Sequence, residues 1–411
     1  MASWVCPGNN SEFSIDVLPY GVFSTDKLDA RIGVAIGEYI LDMKVLSYEG
    51  IFSAIDFDAS VLEQNTLNAF ASLGSKVRQQ VRARIQQLLA TNTSHADELR
   101  DNPRTEEALV KMSEASLHLP MAIGDYTDFF VGIHHARNCS SILRPGVGLH
   151  PNYLSQPIGY HGRSSSVVIS KTPIRRPKGQ FFRDGERTFG LSQKVDFEVE
   201  FAAFISHGNE FGTSISVDDA EDHIFGFVLL NDWSARDIQS WESAPLGPFN
   251  GKNFATTISP WIVPPEALKS FCQYPSLQED DLLPYLRGKR QASVYDIPIQ
   301  VSLKDQVGDY RVFECNTKHV VFSFAQMIAH HTAGGCPLRT GDLIATGTLS
   351  GPSRHEVGSL LEASRNGSEP YELSAEETEK HETTRTFLLD GDIVCFRAPG
   401  FGSCDGQILS N

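Results

Sequence analysis

The sequence predicts an α+β, mainly β protein with a small N-terminal domain and a larger, mixed β-rich domain. The chain has 33 glycines and 21 prolines, which supply the many turns that a strand-rich chain needs. Strand-like apolar patterns recur through most of the chain, whereas a long helical stripe lies in its first third. A chain of 411 residues has room for two or three domains. We place the boundary between residues 1–118 and 119–411.

The first third combines short strands with helices. Residues 13–23 and 31–46 have the length and apolar pattern of strands. Apolar residues recur at helical spacing over 77–89, which predicts an amphipathic helix facing a core. A second, shorter helix is predicted over 105–112, and 113–120 is the expected hinge into the main body.

From about residue 121 onward the pattern predicts mostly strands. The predicted elements are strands at 166–170, 197–205, 224–230 and 342–346, a helix at 320–330, and a hairpin at 387–397 that turns at 390–392.

Charge and cysteine usage exclude several classes of protein. Lys+Arg 35 against Asp+Glu 51 give a net charge of −16 and a pI near 5.2, so neither nucleic acid nor a membrane is an expected partner. The seven cysteines are scattered without a CxxC pair, which predicts neither a disulfide framework nor a thiolate zinc site. No signal peptide or membrane-spanning run is visible. A cytoplasmic protein is expected.

Four acidic residues from three segments are candidate metal ligands. Glu198 and Glu200 share one face of a predicted strand, about 7 Å apart. Asp232 follows the apolar strand at 224–230, and Asp128 has a similar setting. Two interpretations are open at this point. In the first, Glu198 and Glu200 face solvent and Asp232 caps a helix. In the second, the four acids bind a hard divalent cation such as Ca²⁺ or Mg²⁺.

His134 and His135 are the candidate general bases, because an imidazole titrates near neutral pH. The alternative for any histidine is a structural hydrogen bond, and we assign His161, His330 and His331 to that class. The serine run that follows GYHGR lacks the GxSxG elbow of a serine hydrolase. Nucleotide chemistry has no support, because no GxGxxG or Walker motif is present.

Six longer motifs are distributed along the chain: GDYTDF at 124–129, PIGYHGRSSSVV at 157–168, DFEVE at 196–200, NDWSARDIQSWE at 231–242, PLGPFNGKNFATTISPW at 245–261 and GTLSGP at 347–352. Together, and in this order, they resemble the fumarylacetoacetase family over nearly the whole chain. The resemblance implies an SH3-like N-terminal domain, a mixed β-roll C-terminal domain and a homodimer. It also implies metal-dependent hydrolysis of a carbon–carbon bond in a β-diketo acid. The implied reaction converts 4-fumarylacetoacetate to fumarate and acetoacetate, the last step of phenylalanine and tyrosine breakdown.

The resemblance assigns roles to individual residues as well. The implied metal ligands are Asp128, Glu198, Glu200 and Asp232 for Ca²⁺, the same acids that spacing selects, and Asp232, Lys252 and Thr256 for Mg²⁺. The implied catalytic residues are His135 as base, Glu362 as the acid that orients it, and Arg236, Gln239 and Lys252 around the reacting oxygens. The implied substrate-binding positions are Phe130, Arg144, Tyr160, Gln239, Ser243 and Thr348.

The sequence departs from the family pattern near the implied substrate pocket. Phe130 and Ser243 replace tyrosines, Ile133 replaces an arginine, and Asn250 and Ala255 replace leucine and glycine. A lost phenolic hydroxyl should alter substrate choice more than the chemistry. We therefore keep as an alternative a paralogous hydrolase or decarboxylase that acts on a different diketo acid.

Two other classes of function are less well supported. A decarboxylase or tautomerase would stabilise an enolate without activating water, and the pairing of His135 with Glu362 argues against it. A non-catalytic metal-binding protein would not need that pair or Lys252. Hydrolysis is therefore better supported than either of these two classes of function.

Overall fold

The computed structural model describes residues 2–6, 12–276, 281–289, 293–373 and 383–411. The strands are β1 (Tyr20–Ser24), β2 (Arg31–Ile36), β3 (Tyr39–Asp42), β4 (Leu109–Lys111), β5 (Ser116–His118), β6 (Tyr126–Phe129), β7 (Gly159–Gly162), β8 (Val167–Ile169), β9 (Ile174–Arg175), β10 (Lys178–Arg183), β11 (Glu186–Leu191), β12 (Val195–Asp196), β13 (Val199–Ile205), β14 (Ile224–Asp232), β15 (Ser234–Ala235), β16 (Thr256–Ile258), β17 (Cys272–Gln273), β18 (Val294–Tyr295), β19 (Pro298–Lys304), β20 (Asp309–Asn316), β21 (Leu343–Ala345), β22 (Tyr371–Leu373), β23 (Thr383–Arg385), β24 (Ile393–Ala398) and β25 (Gly402–Leu409). The α-helices are α1 (Met43–Tyr48), α2 (Asn68–Ala71), α3 (Gly74–Leu89), α4 (Asp97–Arg100), α5 (Ile133–Leu143), α6 (Arg236–Glu242), α7 (Phe324–Thr332) and α8 (Leu360–Ala363).

The predicted fold class is confirmed: a small N-terminal β domain precedes a larger, mixed β domain. Strands β1 to β5 form one antiparallel sheet in the order β4-β3-β2-β1-β5. The strand predicted at 13–23 begins only at Tyr20. The segment 113–120, predicted as a hinge, instead contributes β5, which pairs with β1.

Two helix predictions in this domain have different outcomes. The helix predicted at 77–89 is confirmed as α3, and its apolar face is buried. The helix predicted at 105–112 is wrong, because a 3₁₀ helix at Pro103–Ala108 leads directly into β4.

The strand predicted over 31–46 is divided, since its last residues form α1. This helix begins because Oδ1 of Asp42 accepts hydrogen bonds from the backbone amides of Lys44, at 2.9 Å, and Val45, at 3.3 Å. A carboxylate in the N-cap position thus overrides the apolar strand pattern at this point.

A seven-stranded mixed sheet forms the centre of the larger domain, in the order β7-β6-β21-β13-β14-β16-β8. The strands predicted at 166–170, 197–205, 224–230 and 342–346 are confirmed as β8, β13, β14 and β21, with small shifts of their ends. Every residue of β13 and β14 is buried, as a continuous apolar run predicts for a central strand.

A second sheet of the larger domain has the order β20-β19-β24-β25-β9. The hairpin predicted around 390–392 is wrong, because the turn that joins paired strands lies between Ala398 and Gly402. Residues 390–392 only lead into β24, and Asp392 accepts hydrogen bonds from Arg385 at 3.0 Å.

None of the helices in the described part of the chain has the length and apolar character that a bilayer crossing requires.

The helix predicted at 320–330 begins later, as α7 at Phe324. Ser323 and Gln326 form a reciprocal capping box there, which satisfies two backbone amides at the helix start and fixes its first residue.

The two domains share an apolar core. Tyr20 of β1 and Phe70 of α2 pack against Phe225 of β14, each with ring centroids 5.9 Å from it. The buried Arg78 of α3 also crosses the junction, donating hydrogen bonds to the backbone carbonyl of Ile224 at 3.0 Å and to Oε1 of Glu266 at 2.9 Å. The N-terminal domain therefore helps to hold the central sheet.

Because Phe225 joins the domains, Phe225→Ala should lower the free energy of unfolding by about 3 to 5 kcal/mol, through a cavity that both domains line. Urea unfolding followed by tryptophan fluorescence measures this. The matched control is Phe211→Ala, because Phe211 is 88% exposed and should change stability by less than about 0.5 kcal/mol. Equal effects of the two substitutions would refute a shared core.

Candidate active site

Four acidic side chains meet at the central sheet. Asp128 lies in β6, Glu200 in β13 and Asp232 at the end of β14, while Glu198 directly precedes β13. Each offers one carboxylate oxygen, and these atoms lie within 4.8 Å of one another. All four residues are buried, so the interpretation as a solvated face is wrong. The helix-cap interpretation of Asp232 is also wrong, because Ala235 occupies the N-cap of α6.

Two of the four carboxylates have oxygens that no protein donor satisfies. Both carboxylate oxygens of Glu200 and Oδ1 of Asp128 are buried and accept no hydrogen bond from a donor group in the described structure, and the carboxyls of Asp128 and Glu200 lie within hydrogen-bonding reach of each other. Burial, followed by the charges of Asp128 and Asp232, raises the pKa of Glu200 well above its usual 4.5. Burial and Asp232 also raise the pKa of Asp128 well above its usual value. Unpartnered, mutually repelling carboxylates suit a hard divalent cation, so these residues fit a metal ion.

Two buried cations neutralise the other half of the cluster. Lys252 donates hydrogen bonds to Oε2 of Glu198 and, at 2.8 Å, to Oδ2 of Asp232. Arg236 donates from Nη1 to Oε1 of Glu198 at 2.7 Å and from Nε to Oδ2 of Asp196 at 2.9 Å. Burial opposes the ionisation of Glu198, but Lys252 and Arg236 together hold its pKa well below the usual range. Glu198 is therefore a carboxylate at any working pH.

His135 and Glu362 form a buried pair beside the cluster. Nδ1 of His135, on α5, lies 2.6 Å from Oε2 of Glu362, on α8. The other ring nitrogen, Nε2, lies 3.9 Å from Oε1 of Glu198. Burial lowers the pKa of His135, but Cys139 and Glu362 raise it well above its usual 6.5. The imidazole thus spans the space between an orienting carboxylate and the acid cluster.

Two side chains pack against the ring of His135. Phe130 approaches it edge-on, with ring centroids 5.6 Å apart and planes at 81°. Cys139 lies one helical turn after His135, with Sγ 3.3 Å from Nε2. Sequence reasoning did not select Cys139, although the spacing of four residues on one helix places the two side chains together.

Three of the other predicted residues join the cluster through hydrogen bonds. The hydroxyls of Tyr160 and Thr256 donate to Asp232 at 2.8 Å and 3.1 Å. Nη1 of Arg236 donates to Oε1 of Gln239 at 3.2 Å. The amide oxygen of Gln239 is thereby occupied, and its NH₂ group remains as the donor.

The remaining predicted substrate contacts have other surroundings. The Ser243 hydroxyl donates to the backbone carbonyl of Gln239 at the end of α6. Arg144 is exposed at the C-terminal end of α5. Thr348 is buried, and its backbone oxygen lies so near Gly132 that a Cβ there would be 2.1 Å from it. Only glycine allows the start of α5 to approach the backbone of Thr348 this closely.

Of the two adjacent histidines, only His135 reaches the cluster. His134 packs edge-on against His319, with ring centroids 5.0 Å apart, and burial lowers its pKa. The helix turns successive residues by about 100°, so neighbours in sequence face different surroundings.

The histidines assigned to structural roles do have structural partners. His330 lies 2.9 Å from the hydroxyl of Tyr285, and His331 lies 2.8 Å from that of Thr127. The ring of His161 lies 6.2 Å from that of His331. These contacts account for the three rings without a catalytic role.

Sequence reasoning missed the residues that hold Glu362. Its Oε1 accepts a hydrogen bond from Asn138 at 2.8 Å, and its Oε2 accepts from Ser350 at 3.0 Å and Ser359 at 2.8 Å. Asn138 lies three residues after His135, so helical spacing could have identified it. The two serines carry no comparable local signal.

Asp196 is another residue whose role the sequence did not reveal. Its carboxylate is fully buried. Three backbone amides donate hydrogen bonds to it: those of Phe197 and Leu360 at 2.8 Å and that of Leu361 at 2.9 Å. The guanidinium of Arg236 donates a fourth at 2.9 Å. Asp196 therefore connects the start of α8 to the acid cluster.

The buried His135–Glu362 pair, beside a carboxylate cluster that could hold a metal ion, is the candidate active site. The model of the family described as "Fumarylacetoacetate (FAA) hydrolase C-terminal" matches residues 129–409, and that of "Fumarylacetoacetase N-terminal" matches residues 16–120. The chain belongs to the fumarylacetoacetase family of hydrolases.

Individual relatives resemble this chain over its full length. It is 46% identical to the fumarylacetoacetase of Aspergillus fumigatus, covering 100% of this chain and 98% of that protein. It is 42% identical to the human fumarylacetoacetase, covering 99% and 98%. The structure of a fumarylacetoacetate hydrolase from Exiguobacterium antarcticum has a TM-score of 0.53 at 16% identity, covering 96% of this chain and 100% of that one, which shows a shared fold.

The repulsion at Glu200 predicts how stability depends on pH in chelator-treated protein. Because the pKa of Glu200 is raised in the folded state, the folded protein retains a proton that the unfolded chain releases above about pH 4.5. Stability should therefore fall as the pH rises from there towards neutrality. Glu200→Gln should reduce this loss, leaving the part that comes from Asp128, and should stabilise the chelated protein at pH 7 by about 1 to 3 kcal/mol.

Thermal unfolding between pH 4.5 and 7.5 measures this effect. The control is Glu372→Gln, which neutralises an exposed residue of β22 and should leave the pH dependence unchanged. Adding Ca²⁺ should raise the melting temperature of the wild type more than that of Glu200→Gln. A chelated Glu200→Gln protein that is less stable than wild type at pH 7 would contradict the argument.

Proposed function

We propose that this chain hydrolyses fumarylacetoacetate to fumarate and acetoacetate. The observation that carries the proposal is the His135–Glu362 pair, whose imidazole reaches to 3.9 Å from a carboxylate of the acid cluster. Hydrolysis needs a positioned base that activates water, whereas enolate chemistry alone does not. The chain matches fumarylacetoacetases over their full length, which favours this substrate. Phe130 and Ser243 had suggested a different diketo acid as the alternative.

The proposed reaction begins at Nε2 of His135, the ring nitrogen that Glu362 does not hold. Glu362 fixes Nδ1, so Nε2 takes a proton from water as the water oxygen attacks the substrate carbonyl carbon. Collapse of the tetrahedral intermediate breaks the carbon–carbon bond and expels the acetoacetate fragment as an enolate. A proton from the ammonium group of Lys252, or from water, completes the product.

Two neighbouring donors suit the negative oxygen of the intermediate. Nη2 of the buried Arg236 has no hydrogen-bond partner in the described structure, and the NH₂ group of Gln239 is left available by the contact of its oxygen with Arg236. Each such donor is typically worth about 3 kcal/mol of transition-state stabilisation.

We propose that Asp128, Glu198, Glu200 and Asp232 hold Ca²⁺ as the resident cation. When bound, the cation supplies positive charge that polarises the substrate carbonyls and offsets the excess negative charge around His135. A second, Mg²⁺-type site at Asp232, Lys252 and Thr256 stays a prediction. An ammonium group has no lone pair for a metal, so the backbone carbonyl of Lys252 would have to be the ligand there.

Tyr160 has the setting expected of a substrate contact in the proposed pocket. Burial, and then Asp232, raises the pKa of Tyr160 well above 10, so its hydroxyl stays protonated and donates. Phe130, Ser243 and Thr348 are proposed to shape the same pocket. Arg144 is proposed to bind a substrate carboxylate, because it is an exposed cation at the end of the helix that carries His135.

A homodimer is also part of the proposal, and one exposed apolar surface supports it. Phe182 and Phe189 project from the β10–β11 hairpin, and Phe182 packs edge-on against Trp241 of α6 with centroids 4.5 Å apart. The nearby Leu246 and Phe249 are exposed as well. We propose that a second copy of the chain covers this surface, because two-fold dimers are the commonest assembly and large apolar patches rarely stay exposed.

The domain boundary and location complete the proposal. We propose the boundary at 118/119, where β5 ends, before β6 begins at Tyr126. We propose a cytoplasmic location, and the seven cysteines, all of them free in the structure, fit a reducing compartment.

His135→Ala should lower kcat for fumarylacetoacetate by about 10² to 10⁴, because the base is lost. Glu362→Gln should lower kcat by a factor of about 10², because nothing then fixes the tautomer of the imidazole. The decay of substrate absorbance measures both rates, and calorimetric titration should find unchanged Ca²⁺ affinity in His135→Ala. The matched control is His134→Ala, which should stay within about threefold of wild type. Near-normal turnover in His135→Ala would refute the assignment.

The dimer surface is tested by Phe189→Asp, which places a charge on an apolar patch where 71% of the side chain is exposed. Light scattering should show the mass fall from that of a dimer to that of a monomer, because a buried unpaired charge is strongly unfavourable. Val307→Asp changes an exposed residue outside the patch and should remain dimeric. A wild-type protein that is monomeric at micromolar concentration would overturn this part of the proposal.

A further inference from the structure

The two carboxylate oxygens of Glu362 depend on different partners. Oε2 lies 2.6 Å from Nδ1 of His135 and accepts hydrogen bonds from the hydroxyls of Ser350 and Ser359. Oε1 has one donor in the described structure, the side-chain amide of Asn138 at 2.8 Å. Loss of that amide would leave Oε1 without a protein donor.

Backbone amides fix the direction in which both serine hydroxyls donate. The amide of Gly358 donates to the Ser350 hydroxyl oxygen at 2.9 Å, and the amide of Glu362 donates to the Ser359 hydroxyl oxygen at 3.4 Å. The single proton of each hydroxyl is therefore left for Oε2. Neither serine can take the place of Asn138 at Oε1 without giving up this arrangement.

His135 and Asn138 hold the carboxylate of Glu362 from one helix. They are three residues apart on α5, so their side chains project from neighbouring positions on one face. The last torsion of a glutamate side chain is broad, so the side chain of Glu362 alone does not fix the plane of its carboxylate. Because His135 binds one oxygen and Asn138 the other, the plane is fixed relative to α5.

A cavity of about 240 Å³ reaches this carboxylate, and both Glu362 and Asn138 line it. Arg354 and Arg365 line it as well. About half of each arginine side chain is exposed, and each forms an ion pair with Glu369, at 3.8 Å and 3.3 Å. Removing the Asn138 amide would open Oε1 to water and to these cations, which would compete for the carboxylate.

We propose that Asn138 is a positioning residue of the hydrolysis, which holds the carboxylate of Glu362 in the orientation that His135 needs. It acts through Glu362 and supplies no proton or electron pair to the reaction. The contact also favours the charged carboxylate: burial raises the pKa of Glu362, but His135 and hydrogen bonds that include the one from Asn138 bring it below 4.5. The kinetic effect rests on the proposed function, whereas the orientation of Glu362 does not depend on the substrate.

Asn138→Leu tests the kinetic effect, because it keeps the size of the side chain and removes the donor. We expect kcat for fumarylacetoacetate to fall by about 10- to 100-fold, as when outer hydrogen-bond partners of metal-binding side chains are removed. KM should stay within about twofold of wild type, because Asn138 acts on the base and not on substrate binding.

The matched control is Ser141→Ala, a change on the same helix and in the same cavity. The Ser141 hydroxyl donates to the backbone carbonyl of Asn138 and makes no contact with Glu362. Its loss should leave kcat within about twofold of wild type. A kcat for Asn138→Leu no lower than that of Ser141→Ala would overturn the proposal.

A double-mutant cycle shows whether Asn138 acts through Glu362. In a Glu362→Ala background, Asn138→Leu should change kcat by less than about twofold, because the carboxylate that it positions is gone. A purely structural role for Asn138 would lower kcat by the same factor in both backgrounds, and that result would also overturn the proposal.

Crystal structures of the wild type and of Asn138→Leu separate this inference from the proposed function, because they need no turnover. In the variant, the carboxylate of Glu362 should be rotated and its 2.6 Å contact with Nδ1 of His135 lengthened or lost, while the backbones of α5 and α8 stay in place. An unrotated carboxylate, or displaced helices, would overturn the proposal. A rotated carboxylate in a protein whose wild type does not hydrolyse fumarylacetoacetate would contradict the proposed function alone.

Discussion

The active site depends on one chain of buried ion pairs, which runs from Asp196 through Arg236, Glu198 and Lys252 to Asp232. The links that join them measure 2.9 Å for Asp196–Arg236, 2.7 Å for Arg236–Glu198 and 2.8 Å for Lys252–Asp232. Removing one partner from a buried pair costs about 3 to 5 kcal/mol, because it strands the other charge. The two cations therefore allow carboxylates to gather at the end of an otherwise apolar sheet.

The same chain couples the acid cluster to the base. Asp196 accepts hydrogen bonds from the backbone amides of Leu360 and Leu361. These two residues begin α8, the short helix that presents Glu362 to His135. A helix of four residues has too few internal hydrogen bonds to fix its own position. Asp196 joins the start of this helix to Arg236 and hence to the acid cluster, while Ser359 caps the same helix. Hydrogen-bond networks of this kind are cooperative in a low-dielectric interior.

Local patterns predicted the parts of the site that lie on regular strands. Glu198 and Glu200 were found because strand periodicity places them on one face, and Asp232 because an apolar run ends there. The role of Asp196 was not predictable, since its partners lie 40 and 164 residues away along the chain. The strand predicted through α1 failed for a related reason: one capping carboxylate outweighs a weak apolar pattern.

The distribution of hydrogen bonds shows where a bound cation matters most. Glu198 and Asp232 already have partners for both carboxylate oxygens, whereas Glu200 has none and Asp128 has an unpartnered Oδ1. Neutralising Glu198 would remove one of the two carboxylate partners from both Lys252 and Arg236, so its charge belongs to the protein's own ion pairs. The charge of Glu200 has no such counterpart, so without a bound metal ion the residue retains its proton, and with one it can ionise. The ion-pair chain thus fixes the protein side of the site, and the unpartnered acids leave a place for the metal.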